Sequence, residues 1–415
     1  MKSSNREAIL RWVGSHSFAI LLALIVCAGI ALRLVFASSL GFLKGGDAWW
    51  YSNLAIDLSQ GTGFVDPLRF RFWGETGVSF FKPPFWPMVL AFPSWLFPDN
   101  PLVAQRVMAV VIGASVIFLV GSLGRRLAGK RAGILAGALA AVDPNFVMLD
   151  GLLLVESIYA ATLAAVVLVT YRFEDRRDTA SALTLGVLIG LAALQRFDAL
   201  LLLPLLVAPL MWRVRAERGS LLRLSSSIAA IVLVIAPWSV YATSRSDSLV
   251  LVSSNSGEAL INANCEDTWE GSIAGYWSPT CLKTPESERG LEYAKSHLSS
   301  APRVILQRVG RTFDVYRPLQ NKSLAELIDR RPSNLASLGL IVWYLMVPLS
   351  IVGFIVLRRR QIWTGPLLAL ILLSVAVSIG IHGETRFRVP AEVAVTVLSG
   401  VGLSRLMSKR SSEGG

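Results

Sequence analysis

Charge is scarce in this chain of 415 residues, of which 16% are Asp, Glu, Lys or Arg. Soluble domains carry about 25%, so the two or three soluble domains that length alone suggests are a poor fit. Histidine and cysteine are rarer still, three of each. The sequence holds no phosphate-binding P-loop, no G-x-G-x-x-G opening a helix after a strand, and no H-E-x-x-H. An ATP-driven pump and a zinc protease therefore have no support. Internal repeats, common in transporters, are also missing.

What fills the chain is apolar. Hydrophobic residues make up 53% and the mean hydropathy is +0.55. They fall in nearly uncharged blocks of roughly 15 to 25 residues, long enough to cross a bilayer core of about 30 Å. The expected fold class is an all-α polytopic membrane protein of about ten spans, near 17–36, 101–121, 132–148, 151–171, 180–195, 198–212, 221–243, 337–357, 362–381 and 389–407. The first block lies too far along and runs too long for a cleaved signal peptide, and no A-x-A-type site follows Phe36, so a retained span is expected.

The net charge of +12 would raise nucleic acid as a partner in a soluble protein. Here the basic residues gather in alternate linkers, which the positive-inside rule explains with no nucleic acid. Lys2, Arg6 and Arg11 precede the first span, and Arg125, Arg126, Lys130 and Arg131 follow the second. Further clusters are Arg172, Arg176 and Arg177; Arg213, Arg215, Arg218 and Arg223; Arg358, Arg359 and Arg360; and Arg405, Lys409 and Arg410. Short linkers on the other side hold only Arg196, Arg386 and Arg388. Both termini, 1–16 and 408–415, are thus expected in the cytoplasm. An N-terminal membrane module, 17–243, contains an extracytoplasmic loop at 37–100. A second extracytoplasmic segment, 244–336, precedes the C-terminal spans at 337–407.

Loop 37–100 is dense in aromatics and proline, and Trp50, Leu54 and Leu58 recur at helical spacing, which suits a helix in the membrane interface. Segment 244–336 holds Cys265 and Cys281, and two cysteines outside the cytoplasm are expected to form a disulfide. Metal ligation needs more ligands than this pair offers. Cys27, in an apolar span, is expected to serve as inert packing.

Ionisable residues at a membrane edge are functional candidates by default. Asp47, after Gly45-Gly46 and before Trp49-Trp50-Tyr51, is either a general base at the mouth of an aromatic hollow or the N-cap of the interfacial helix. Lys82, before Pro83-Pro84 and between aromatic pairs, either meets a buried anion such as phosphate or snorkels to headgroups. Glu156, flanked by Val155 and Ile158, is too costly to leave charged and unpaired. It is either protonated or paired across helices, with Arg196 and Asp198 as candidates, and a purely structural ion pair remains open. Arg386 and Arg388, in the turn before Pro390, suit planar recognition of phosphate. The alternative is headgroup contact or pairing with Glu384 and Glu392. His382 alone points to nothing.

Together these landmarks resemble the GT-C membrane glycosyltransferases, and most closely the bacterial relatives of protein O-mannosyltransferases and of the lipid A aminoarabinose transferase. The resemblance rests on Gly46-Asp47 with Tyr51, Lys82-Pro83-Pro84-Phe85-Trp86-Pro87, Leu154-Val155-Glu156-Ser157 and Gly190 to Asp198. It continues through Ala236-Pro237-Trp238, Ser253 to Leu260, and Arg386-Phe387-Arg388-Val389-Pro390. The cysteine segment with Gly275-Tyr276-Trp277 resembles an actinobacterial subgroup. The order and topology of these motifs are what is specific.

This resemblance implies a multi-pass protein of the bacterial plasma membrane whose site faces outward. It would move a sugar from a polyprenyl-phosphate donor to a hydroxyl of an extracytoplasmic protein, lipid or polysaccharide, with inversion. Asp47 would be the base, Glu156 would shape the catalytic cavity, and Lys82, Arg196, Arg386 and Arg388 would face the donor phosphate. Many relatives have Asp-Glu where this chain has Asp47-Ala48, and an acid where it has Phe81, which weakens metal binding while leaving a divalent cation open. The rival readings are a lipid-linked-sugar flippase and an inactive relative in envelope assembly.

Overall fold

The structure is a computed structural model. It describes the backbone of residues 2–413 except 44, 284 and 286–288, and the side chains of 17–408 except those residues and Ser256. Lys2, Arg6, Arg11, Lys409 and Arg410 lie outside the described side chains. The chain is helical, and among the described residues the β-structure is one isolated antiparallel bridge, Val65 to Val78.

Each of the ten expected segments contains a helix. Among the described residues six helices are long and apolar enough to cross a membrane: Ser17–Ser39, Pro101–Ala128, Glu156–Arg176, Ser220–Thr243, Ser333–Arg359 and Thr385–Ser408. The bent pair Lys130–Val142 and Pro144–Gly151 makes up to seven. Thr179–Gln195 and Gly365–Gly380 are apolar but shorter, and segment 198–212 is broken into three short helical pieces around Pro204 and Pro209. The chain is an integral multi-pass membrane protein.

Two boundary details position the site. The fourth helix begins at Glu156, five residues later than expected, because the chain turns at Leu152-Leu153 with Leu153 at φ 56°. Glu156 therefore stands in the first turn of its helix. The second detail is the 51° bend between Lys130–Val142 and Pro144–Gly151. Pro144 has no N–H, so the carbonyls ending the first helix need other donors. Arg33 of the first span supplies them, bonding Ala140 O at 3.0 Å and Ala141 O at 2.8 Å while its Nε meets Asp150 at 2.6 Å. Both charges are buried, so a break that would orphan backbone is closed by an ion pair that satisfies itself.

Small residues bring the last spans together. A Cβ on Gly353 would collide with the Leu398 carbonyl, and one on Gly402 with that of Leu349, so Ser333–Arg359 and Val389–Glu413 touch backbone to backbone. Cys27, expected in packing, instead lies on an exposed face.

The outer segments are pinned by hydrogen bonds to the bundle. Gly46–Ser59 packs Tyr51, Leu54 and Ala55 inward against Phe85–Leu96, an apolar helix that the sequence pattern did not reveal. Trp86 donates from Nε1 to Leu153 O at 2.9 Å. Trp238, at the end of Ser220–Thr243, donates to Val252 O at 2.7 Å, and Ser254 N bonds Phe80 O at 2.8 Å. In the second segment Cys265 and Cys281 form the expected disulfide, with Cα atoms 5.4 Å apart.

Candidate active site

The helix Gly46–Ser59 presents Asp47 in its first turn, but Asp47 is not its cap. Gly45 holds the N-cap position, and among the described residues no side chain caps the helix. The Asp47 carboxylate is taken up elsewhere: Lys82 Nζ donates to Oδ1 at 2.6 Å, and Arg386 donates to Oδ2 at 2.6 Å. Three chain segments that are remote in sequence thus meet at one carboxylate. Its side chain stays 24% exposed, with Lys82 and Arg386 at 13% and 14%, so the group sits at the mouth of the site and not in its floor. Burial alone would raise the Asp47 pKa, but the two cations outweigh it and hold the carboxyl well below the usual range.

Aromatic rings frame the lysine. Nζ lies 5.2 Å from the Phe81 ring centre and 6.0 Å from that of Tyr51. Pro83 and Pro84 just after it fix the backbone entering Phe85–Leu96. Tyr51 is buried, and burial together with Asp47 and Glu156 pushes its phenol well above the ordinary value, against the pull of Arg196 and Arg386. The same phenol therefore senses both acids and both arginines, which makes one neighbourhood of them.

The second acid is paired across helices, one of the open readings from sequence. Arg196, at the end of Thr179–Gln195, donates to Glu156 Oε1 at 2.7 Å and to Asp198 at 3.1 Å. Its guanidinium also lies 4.8 Å from the Phe387 ring centre. Among the described residues Glu156 Oε2 is buried without a hydrogen-bond partner, as is the Tyr159 hydroxyl one turn on. Such orphans deserve a functional explanation.

The last outer turn divides its two arginines. Arg386 reaches Asp47, bonds Glu384 through Nε at 2.9 Å, and passes 3.8 Å from Asp329. Arg388 turns the other way and is buried between Asp314 at 2.6 Å and Glu392 at 2.8 Å. The structure brings Asp47, Lys82, Glu156, Arg196 and Arg386 together and keeps Arg388 apart from the Asp47 group.

Four residues of the site were given no part in the chemistry from sequence: Glu384, Asp329, Tyr51 and Tyr276. The Glu384 carboxylate accepts from the Tyr276 hydroxyl at 3.3 Å and faces His382 Nε2 at 3.3 Å. Burial would raise its pKa, but Arg386 and His382 bring it down to about 2. Asp329 is raised to about 6, by burial first and by Glu384 and Asp47 after it, despite Arg386. Glu384 was visible only as a possible partner two residues before Arg386. Tyr51 and Tyr276 stood only inside motifs, and Asp329 carried no local signal.

Metal chemistry fits poorly here. Among the described residues no group of three or more His, Cys, Asp or Glu is arranged to hold an ion. Both Asp47 oxygens are engaged by cations that would repel a divalent ion.

Comparison with known proteins agrees with this architecture. Over 96% of its length the chain superposes on the oligosaccharyltransferase of Archaeoglobus fulgidus in its apo form, with a TM-score of 0.60 at 16% identity. The archaeal enzyme AglB in complex with an inhibitory peptide and a dolichol-phosphate matches over the same share at a TM-score of 0.51 and 16% identity. This chain has the GT-C fold. It spans about half the length of those chains, 51% in both cases. The family model of dolichyl-phosphate-mannose-protein mannosyltransferases matches residues 81–241, which begin at the Lys82 motif and end just past Trp238. ArnT from Cupriavidus metallidurans matches at 15% identity and a TM-score of 0.47, over 96% of this chain and 78% of its own. No curated protein sequence matches. The GT-C resemblance read from the motifs holds at the level of the fold.

Proposed function

We propose that the chain is a glycosyltransferase that moves a sugar from a polyprenyl-phosphate-linked donor to an acceptor hydroxyl at the outer face of a bacterial plasma membrane, with both termini in the cytoplasm. The single observation that carries the reading is the Asp47 carboxylate gripped by both Lys82 and Arg386 at an aromatic-lined membrane edge. Two cations converging on one anion suit a phosphate as well as a carboxylate. The mannosyltransferase match over 81–241 and a fold relative bound to a dolichol-phosphate support the same donor class.

In this reaction the donor phosphate competes with Asp47 for Lys82 and Arg386. As they turn to the phosphate, Asp47 loses the charges that depress its pKa and regains basicity. It then takes the proton of the acceptor hydroxyl. The hydroxyl oxygen attacks the anomeric carbon from the face opposite the phosphate, through an oxocarbenium-like state. The carbon–oxygen bond to phosphate breaks with its electron pair going to the phosphate oxygen, and polyprenyl phosphate leaves. Lys82 and Arg386 offset the growing charge there, which preorganised groups do at a few kcal/mol each. Glu156 holds Arg196 toward the same space, and Tyr51, Phe81 and Trp50 exclude water. Arg388 has a bracing role.

The test measures release of free polyprenyl phosphate by purified protein in liposomes, across a panel of polyprenyl-phosphate sugars with envelope acceptors. Wild type is expected to release it from one donor, while Asp47→Asn binds that donor without turnover. Equal release by both proteins removes Asp47 as the base. Donor binding without turnover by wild type, native membrane added, favours a flippase or an assembly scaffold.

A further inference from the structure

At the end of the bundle opposite Asp47, the broken helix 197–213 leaves a gap. Pro204 sits in a π-turn at Leu203–Val207, and Pro209 opens the short helix Ala208–Arg213. Irregular backbone of this kind cannot pack flush along a straight neighbour. Between it and Ser220–Thr243 lies a groove of about 550 Å³. Leu203 and Met211 form one wall, Leu224 and Ile228 the other, and Trp212 and Arg215 the rim.

The charges at this rim are unevenly matched. Arg213 pairs with Glu174 at 2.9 Å and Arg223 with Glu217 at 2.8 Å. Arg215 on the rim and Arg218, exposed three residues on in the turn at 214–219, have no carboxylate partner among the described residues, and the Arg215 guanidinium lies 4.2 Å from the ring centre of the exposed Trp212. Among the described residues that guanidinium makes one hydrogen bond, Nη1 to Trp212 O at 2.8 Å, and Arg215 is exposed at the groove's rim. An exposed tryptophan topped by an arginine is the combination expected at headgroup level.

We propose that this groove is a binding site for an anionic phospholipid of the inner leaflet, one acyl chain in the apolar cleft and the phosphate at Arg215 and Arg218. Shape alone would admit any chain, but the two unmatched arginines favour a negative headgroup, as basic pockets between helices at the cytoplasmic side do. The inference rests on the proposed membrane orientation but not on the transferase activity, and it is tested by binding alone.

The experiment titrates detergent-solubilised full-length protein with fluorescent phosphatidylglycerol and, separately, phosphatidylcholine of the same chains. Wild type is expected to prefer phosphatidylglycerol, and Arg215→Ala with Arg218→Ala to weaken it by about fivefold for each arginine removed, leaving phosphatidylcholine unchanged. Arg215→Lys with Arg218→Lys should keep most of the preference. Ala208→Trp, which fills the cleft, should weaken both lipids. Equal affinity for the two lipids in wild type, or no change in the double alanine variant, overturns the proposal. Displacement of the probe by polyprenyl phosphate as effectively as by phosphatidylglycerol also overturns it and assigns the groove to a donor tail.

Discussion

If Asp47 occupies Lys82 and Arg386 until a phosphate displaces it, removing its charge has two opposite consequences. Asp47→Asn should abolish turnover yet bind polyprenyl phosphate more tightly than wild type. Hydrogen bonds to charged groups contribute about 1.5–3 kcal/mol each, and wild type must exchange two of them, both at 2.6 Å, before the phosphate is held. The amide keeps one weaker acceptor, and the site is partly open to solvent, Asp47 being 24% exposed. The competition removed is therefore nearer 1–2 kcal/mol in total, roughly 5- to 30-fold in Kd. Loss of the base should lower turnover by about 10²- to 10⁴-fold. The assay is titration with polyprenyl phosphate at low and high salt, beside single-turnover release from the donor. An unchanged or weaker Kd in Asp47→Asn would falsify the exchange of partners, whatever happens to turnover.

The structure makes three more predictions. Gly113→Ala places a methyl against the Asp150 carboxylate and disturbs the buried pair with Arg33; breaking such a pair costs about 3–5 kcal/mol, so folded yield in detergent should collapse, while Gly77→Ala, in open space, should not matter. Cys265→Ser should destabilise the outer segment by about 3 kcal/mol, seen as faster proteolysis of 244–336 with the helix content of the spans unchanged. Asp329 binds its proton more tightly folded than unfolded, at about 6 against 3.8. Its stability contribution is therefore full below pH 4 and lost as the pH rises through 6, about 2–3 kcal/mol in all. Asp329→Asn should flatten thermal melts between pH 5 and 8 and be the more stable protein at pH 8. Glu384, held at about 2, is stabilising above 4.5 and does not confuse that window.

Much of the fold is legible because crossing a bilayer demands long uncharged blocks. Breaks within apolar sequence are less so. Leu152-Leu153-Leu154 reads as helix by composition, yet the chain turns there to set Glu156 at a helix start. Phe85–Leu96 hid among aromatics and prolines, although Pro83-Pro84 before it is a reasonable place to begin a helix. The charged residues of the site stood out singly, since charge at a membrane edge needs a reason. Some pairs were open readings, Glu156 with Arg196 and the two arginines with Glu384 and Glu392, but the pairing at Asp47 was not visible, because Arg386 lies 339 positions away. Arg386 and Arg388 share one 3₁₀ turn, so local sequence had no means of telling the one that faces Asp47 from the one that braces Asp314 and Glu392.

That turn explains why the outer segments belong to the site. Arg388 ties it to Asp314, in the segment before Ser333–Arg359, and Glu392 on the next helix also accepts from Asn145 at 2.8 Å. Gly383 N bonds Gly275 O at 2.8 Å, which sets the Tyr276 hydroxyl on Glu384. Glu384 in turn fixes Arg386 Nε, leaving the terminal nitrogen of the guanidinium on Asp47. The disulfide-bonded segment is thus linked to Asp47 through an oriented arginine. Orientation of this kind matters most for an arginine that must exchange one anion for another. A guanidinium anchored through Nε can release Asp47 and meet a phosphate by a small displacement, with most of its side-chain entropy already lost on folding. If the site takes a phosphate donor as proposed, the acid partners that neutralise this membrane edge also keep its cations ordered for it.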